Sequence, residues 1–137
     1  MNLFKKSLFL AGIISLAACA EKGPAEIAVG TDQCDNCKMT ITEPKYATQL
    51  LTEKGRIYKF DDIACLRDYE VTNSENTGNA TVYVADFPSG KFVESSTATF
   101  IKGGQIKSPM GGNTQAYSDK TAAEKAASEL GATLTNP

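Results

Sequence analysis

The run Cys34-Asp35-Asn36-Cys37-Lys38-Met39 places three sulfur atoms within six residues, in a chain that has no histidine at all. Thiolate and thioether donors are polarisable, and together they favour a soft monovalent ion, Cu(I) before the others. If the run is extended, Cys37 and Met39 point to the same side, because side chains along a strand repeat with period two. Met110 lies far along the chain in Ser108-Pro109-Met110-Gly111-Gly112. A methionine in such a glycine-rich loop has no core to fill and is free to act as a ligand. Cu(I) is satisfied by few sulfur donors, so Cys37, Met39 and Met110, with Cys34 nearby, suffice for a site.

Other readings of the same residues stand beside this one. Structural zinc takes four Cys, His or carboxylate ligands and does not use methionine, and the chain has neither histidine nor a second C-x-x-C. A thiol–disulfide oxidoreductase places its first cysteine at a helix N-terminus, whereas Lys38-Met39-Thr40-Ile41-Thr42-Glu43-Pro44 is a poor helix. A structural disulfide among Cys34, Cys37 and Cys65 would leave Met39 as core. Cys65 falls between Ala64 and Leu66 inside an expected helix, where a buried, inert thiol is the ordinary outcome. Asp61 and Asp62 precede that helix and read as capping residues rather than ligands. No nucleophile elbow, phosphate-binding loop or histidine-based acid–base pair occurs, so the reading is of a protein that is not an enzyme.

The elements that must position these residues follow from pattern. Tyr46 to Leu51 and Arg56 to Phe60 read as strands joined at Glu53-Lys54-Gly55. A helix is expected from Ile63 to about Val71, a loop over Asn73–Asn79, and a strand over Thr81–Ala85. The second half repeats the order. Lys91-Phe92-Val93 is a short strand. Ala98–Ile101 and Gln105–Lys107 read as a hairpin about Gly103-Gly104. A strand near Thr114–Tyr117 leads through Ser118-Asp119 to a helix from Lys120, with Thr121 and Glu124 available for a capping box and Gly131 as its stop. Ala132–Thr135 returns as a last strand. Phe60-Asp61-Asp62 before the first helix is echoed by Tyr117-Ser118-Asp119 before the second. The expected architecture is α+β, with two small ββαβ units packed together because neither has a sufficient core alone.

The N-terminus is an address. Lys5 and Lys6 precede a short apolar run, and Leu16-Ala17-Ala18-Cys19 ends it in the pattern of a bacterial lipobox. Residues 1–18 are therefore expected to be a signal peptide and Cys19 to be the lipidated N-terminus of the mature protein. Residues 19–32 read as a flexible tether, 33–88 as the first unit with the Cys/Met motif, and 89–137 as the second. Ala20, rather than Asp, after the lipidated cysteine favours the outer membrane over the inner. The 14 basic and 16 acidic residues form no basic block, so nucleic acid is not an expected partner. With Cys19 spent on lipid, an odd number of cysteines remains, and at least one is free, metal-bound or shared.

The assembled features resemble the NosL family, the copper lipoproteins that serve nitrous oxide reductase. The resemblance rests on the lipobox at Cys19, on Asp32–Ile41, on Gly55–Cys65 and on Pro109-Met110-Gly111-Gly112. It implies Cu(I) binding at Cys37, Met39 and Met110, with Cys34 behind them. It implies delivery of copper outside the cytoplasm to apo nitrous oxide reductase, in the course of denitrification, together with a periplasmic subunit and an ABC-transporter complex. Many relatives have Gly between the second cysteine and the methionine, where this chain has Lys38. The alternatives of another class are a structural or interaction lipoprotein with a disulfide and a periplasmic thiol–disulfide redox protein.

Overall fold

A computed structural model describes residues 22–137, so the expected signal segment and Cys19 lie outside the described residues. The first sheet is built from β1 (Thr48–Leu51), β2 (Ile57–Phe60), β3 (Thr81–Ala85) and β4 (Phe92–Glu94), in the order β2-β1-β3-β4. All its pairings are antiparallel, with Thr48 facing Phe60 on one side and Val84 on the other. Between β2 and β3 run α1 (Ile63–Thr72) and a single turn, α2 (Ser74–Thr77), within the stretch expected to be loop. The second sheet is β6-β5-β7, from β5 (Thr99–Lys102), β6 (Thr114–Tyr117) and β7 (Thr133–Thr135), with α3 (Lys120–Leu130) between β6 and β7. The order β, β, α, β thus occurs twice, each time with the first strand in the centre. No described helix is long and apolar enough to cross a membrane.

The echoed tripeptides occupy equivalent places. Phe60 ends β2 and Tyr117 ends β6. Asp62 then caps α1 by accepting from Ala64 N (3.0 Å), and Asp119 caps α3 by accepting from Thr121 N (3.1 Å). The cap at α3 is therefore Asp119 and not a Thr121–Glu124 box; Glu124 instead faces Lys120 at 3.7 Å. Gly131 closes α3 in the left-handed conformation, φ 65°.

Three expectations are corrected by the tertiary structure. Gln105–Lys107 is not a strand, and β5 pairs with β6 and β7 instead. Gly103 and Gly104 both have positive φ, and Gln105 N donates to the carbonyl of Leu130, so the chain leaves the sheet for the end of α3. A Cβ at Gly104 would collide with that Leu130 carbonyl oxygen. Residues 25–32, read as tether, lie on the sheet face opposite α1. Ala25 N donates to Gln49 Oε1 (2.8 Å) and Gln49 Nε2 donates to Ala25 O (2.6 Å), with Gln49 itself fully buried. Ile27 packs with Ile41 and Ala47 in a small core of its own. Phe92–Glu94, placed by the sequence at the start of the second unit, is an edge strand of the first sheet.

The units share a core. Phe100 and Ala116 of the second sheet pack among Leu50, Phe60, Leu66 and Val84 of the first. Each of these side chains larger than alanine contributes about 1.5–3 kcal/mol when fully buried. Asp86 joins the sheets at their edge: its Oδ1 accepts from Ser118 N (2.8 Å), its Oδ2 from Ser89 Oγ (2.5 Å), and Phe87 N donates to Ala116 O (2.8 Å).

Candidate metal centre

The Cys34–Met39 run is a tight loop seated on the outer edge of β2. Asp35 N donates to Lys59 O (2.8 Å), and Lys59 N donates to Asp35 Oδ2 (2.7 Å). The loop closes through Cys34 N to Met39 O (2.8 Å) and Lys38 N to Cys34 O (2.9 Å), with Gln33 bridged to Thr40. The closure requires a left-handed residue, and Lys38 supplies it at φ 64°. A side chain in this left-handed region carries a steric cost that glycine would not. The same turn removes the premise that Cys37 and Met39 alternate along an extended strand.

The loop delivers two thiols to the place where β2 runs into α1. Cys34, Cys37, Asp61 and Cys65 present three sulfurs and one carboxylate oxygen that all lie within 4.8 Å of one another. Cys34 and Cys65 are buried, Cys37 reaches the surface, and all three are free thiols. Asp61 reaches the cluster because it is the last residue before the cap; its Oδ2 lies 3.6 Å from Cys37 Sγ. Cys65 sits on the first turn of α1, one turn inside the cap.

Electrostatics around the buried sulfurs is mixed. Burial pushes the Cys34 thiol up, while backbone N–H groups of Cys37, Asp61 and Asn36 directed at its sulfur pull in the opposite direction. Backbone N–H groups converging on one sulfur stabilise a thiolate, the form that binds metal. Burial also drives the Cys65 thiol strongly upward, and the neighbouring Cys34 and Asp61 charges add to it. A cation bound here replaces those protons and removes the repulsion.

Met110 approaches from the second unit. The Ser108–Asn113 loop is folded on itself through Asn113 N to Ser108 Oγ (2.6 Å) and Ser108 N to Asn113 Oδ1 (3.1 Å). It is bound to Asp62, the neighbour of Asp61, through Ser108 Oγ (2.6 Å) and Met110 N (2.9 Å). The Met110 side chain is 41 % exposed and that of Met39 58 % exposed, so neither serves as core.

The NosL family model matches residues 24–136. The chain belongs to the NosL family. A solved structure described as the copper chaperone NosL from Shewanella denitrificans superposes with a TM-score of 0.70, covering 84 % of this chain and 92 % of that one at 22 % identity, a likeness of fold. No curated protein matches the chain.

In this NosL chain the structure brings Cys34 and Cys37 together, binds the Met110 loop to Asp62, and leaves Met39 on the surface of the cysteine loop. Sequence reasoning missed two members of the cluster. Cys65 is buried in the helix as expected, yet its thiol belongs to the sulfur group. Asp61 was assigned with Asp62 to capping, but one carboxylate suffices for a cap. The equivalent position before α3 is Ser118, so the doubled aspartate before α1 was the available signal.

Proposed function

We propose that this protein is a Cu(I)-holding chaperone rather than an enzyme. The observation that carries the reading is the cluster of three free thiols, with one of them, Cys37, at the surface, together with two exposed methionines, Met39 on the cysteine loop and Met110 on the loop bound to Asp62. In this reading Cys37 receives the ion, Cys34 supports it from its cradle of N–H groups, and Met110 and Met39 close the site from outside as thioethers. A site of soft donors that opens at the surface suits hand-over, because an incoming sulfur or imidazole can bond before the old ligands leave. The fold neighbour described as a copper chaperone supports the same assignment.

We infer that the same chaperone acts at a membrane outside the cytoplasm. The protein is anchored by lipid at Cys19 on the periplasmic side, with the outer membrane favoured. It carries copper for the copper centres of nitrous oxide reductase, working with the periplasmic and ABC-transporter components of that maturation machinery. The lipobox pattern and family membership support these statements.

Competition against a chromogenic Cu(I) chelator under anaerobic conditions tests the site. Cys37→Ser and Met110→Ala are each expected to weaken binding at least tenfold while the fold is kept; unchanged affinity in both removes the proposed site. A second reading is favoured by Asp61. Three cysteines and one carboxylate form a complete four-ligand set that Zn²⁺ accepts, contrary to the expectation that a fourth ligand was lacking. Titration with Zn²⁺ against a zinc chelator separates the two metals.

A further inference from the structure

Asp62 is 1 % exposed and divides its two oxygens between two tasks. Oδ1 caps α1 at Ala64 N, and Oδ2 accepts from Ser108 Oγ, Met110 N and Gly112 N at 2.6, 2.9 and 3.3 Å. The three donors on Oδ2 all come from the loop that carries Met110. The residue before Asp62 is the carboxylate of the cluster, and Cys65 follows one helical turn later. A single carboxylate therefore ties the Met110 backbone to the helix end that carries half of the cluster. The glycines beside Met110 fit the same device. Gly111 adopts φ 76°, and a Cβ on Gly112 would collide with Asp62 Oδ1 and crowd Ile63. An alanine at Gly112 would thus lever the loop off the carboxylate.

We infer that Asp62 is the positioning residue of the metal site: it holds Met110 at the cluster so that a thioether from the second unit and thiolates from the first act on one ion. The inference rests on the proposed Cu(I) reading and adds to it the residue through which Met110 is placed. Three donors of one loop converging on a single buried oxygen make this clamp stiff. A preordered thioether costs less to bring to the metal than one on a free loop. Groups that orient a ligand without touching the metal typically contribute 10- to 100-fold to its affinity.

The test uses the full-length protein in detergent micelles, Cu(I) as the probe and a double-mutant cycle. Asp62→Ser keeps a helix-capping oxygen and removes the arm that holds the loop. It is expected to weaken Cu(I) about tenfold and to abolish the Cu(I)-induced shift of the Met110 methyl resonance. In a Met110→Ala background the same substitution is expected to change affinity less than twofold, because the residue it positions is gone. Gly112→Ala, which keeps the Asp62 carboxylate but presses a Cβ against its Oδ1, is expected to reproduce the loss and carries the test should Asp62→Ser fail to fold. Wild-type affinity in the folded clamp variants overturns the inference, as does an equal loss with and without Met110. If Met110→Ala alone leaves affinity unchanged, the ligand reading itself fails and the positioning role with it. If only the clamp variants are silent, the ligand reading stands and Asp62 is merely a cap.

Discussion

Cys37 Sγ lies 3.6 Å from Asp61 Oδ2, so the one surface thiol of the cluster touches the one hard oxygen donor in it. That pairing separates two metals by chemistry. A carboxylate is a good zinc ligand and a poor partner for Cu(I), which prefers sulfur. Asp61→Asn is expected to weaken Zn²⁺ at least tenfold and to leave Cu(I) affinity within about threefold. Parallel chelator competitions with the two ions measure this, and an equal loss for both would make Asp61 part of a common scaffold.

The left-handed Lys38 gives a second prediction. A side-chain-bearing residue in this region costs about 1–2 kcal/mol, of which glycine recovers part after its own unfolded-state entropy. Lys38→Gly is therefore expected to stabilise the protein by about 0.5–1 kcal/mol, even though Lys38 Nζ gives up its 2.7 Å bond to the Asp35 carbonyl. Lys38→Val is expected to destabilise it by more than about 1 kcal/mol. Urea midpoints of the two variants, on either side of wild type, would check the pair.

Asp86 sets an acid limit to stability. Burial alone would raise its carboxyl, but the hydrogen bonds from Ser89 and Ser118 outweigh burial and leave it below the ordinary 3.8. The folded state then holds fewer protons than the unfolded one in this range. The stabilisation is complete above the unfolded pKa and is lost as pH falls through the lower folded pKa. Asp32, lowered chiefly by its hydrogen bond with Lys59, acts in the same direction. Asp86→Asn is expected to flatten the decline in melting temperature between about pH 4 and pH 2 and to cost about 1–3 kcal/mol at neutral pH, where Ser118 N loses a charged acceptor. An unaltered slope in the variant would refute this.

Gln49 gives a local prediction. Its amide pairs with both the N–H and the carbonyl of Ala25, as a neighbouring strand would, and it holds the segment leading to the N-terminus. Gln49→Leu leaves both groups unpaired against an apolar side chain, at a cost of about 1–3 kcal/mol. Hydrogen exchange at Ala25 is expected to accelerate at least tenfold, with the amides of β1 and β3 little changed. Uniform acceleration across the sheet would mean that the segment has no independent opening.

The local elements were legible because neighbours in sequence decide them. Thr114–Tyr117 is a strand at the expected residues, α1 and α3 start where Asp62 and Asp119 place them, and Gly131 ends α3 as its left-handed φ requires. The errors arose where a distant group decides. Gln105–Lys107 alternates like a strand, but the Leu130 carbonyl captures Gln105 N. Glu21-Lys22-Gly23-Pro24-Ala25-Glu26 is polar enough to suggest a tether, yet Gln49 on β1 offers Ala25 a hydrogen-bonding partner.

For the candidate site, the sequence determined which soft donors the chain offers: sulfur without histidine, at Cys34, Cys37, Met39 and Met110. Only the tertiary structure decided which donors share a place. Cys65 and Asp61 join because a sheet edge, a loop and a helix start meet at one corner, and the Met110 loop is tied to the start of that helix because Asp62 has an oxygen to spare after capping it. Ligand type is a property of single side chains. Where a donor sits depends on contacts such as the bond from Met110 N to the Asp62 carboxylate, between residues nearly fifty apart, which no local pattern records.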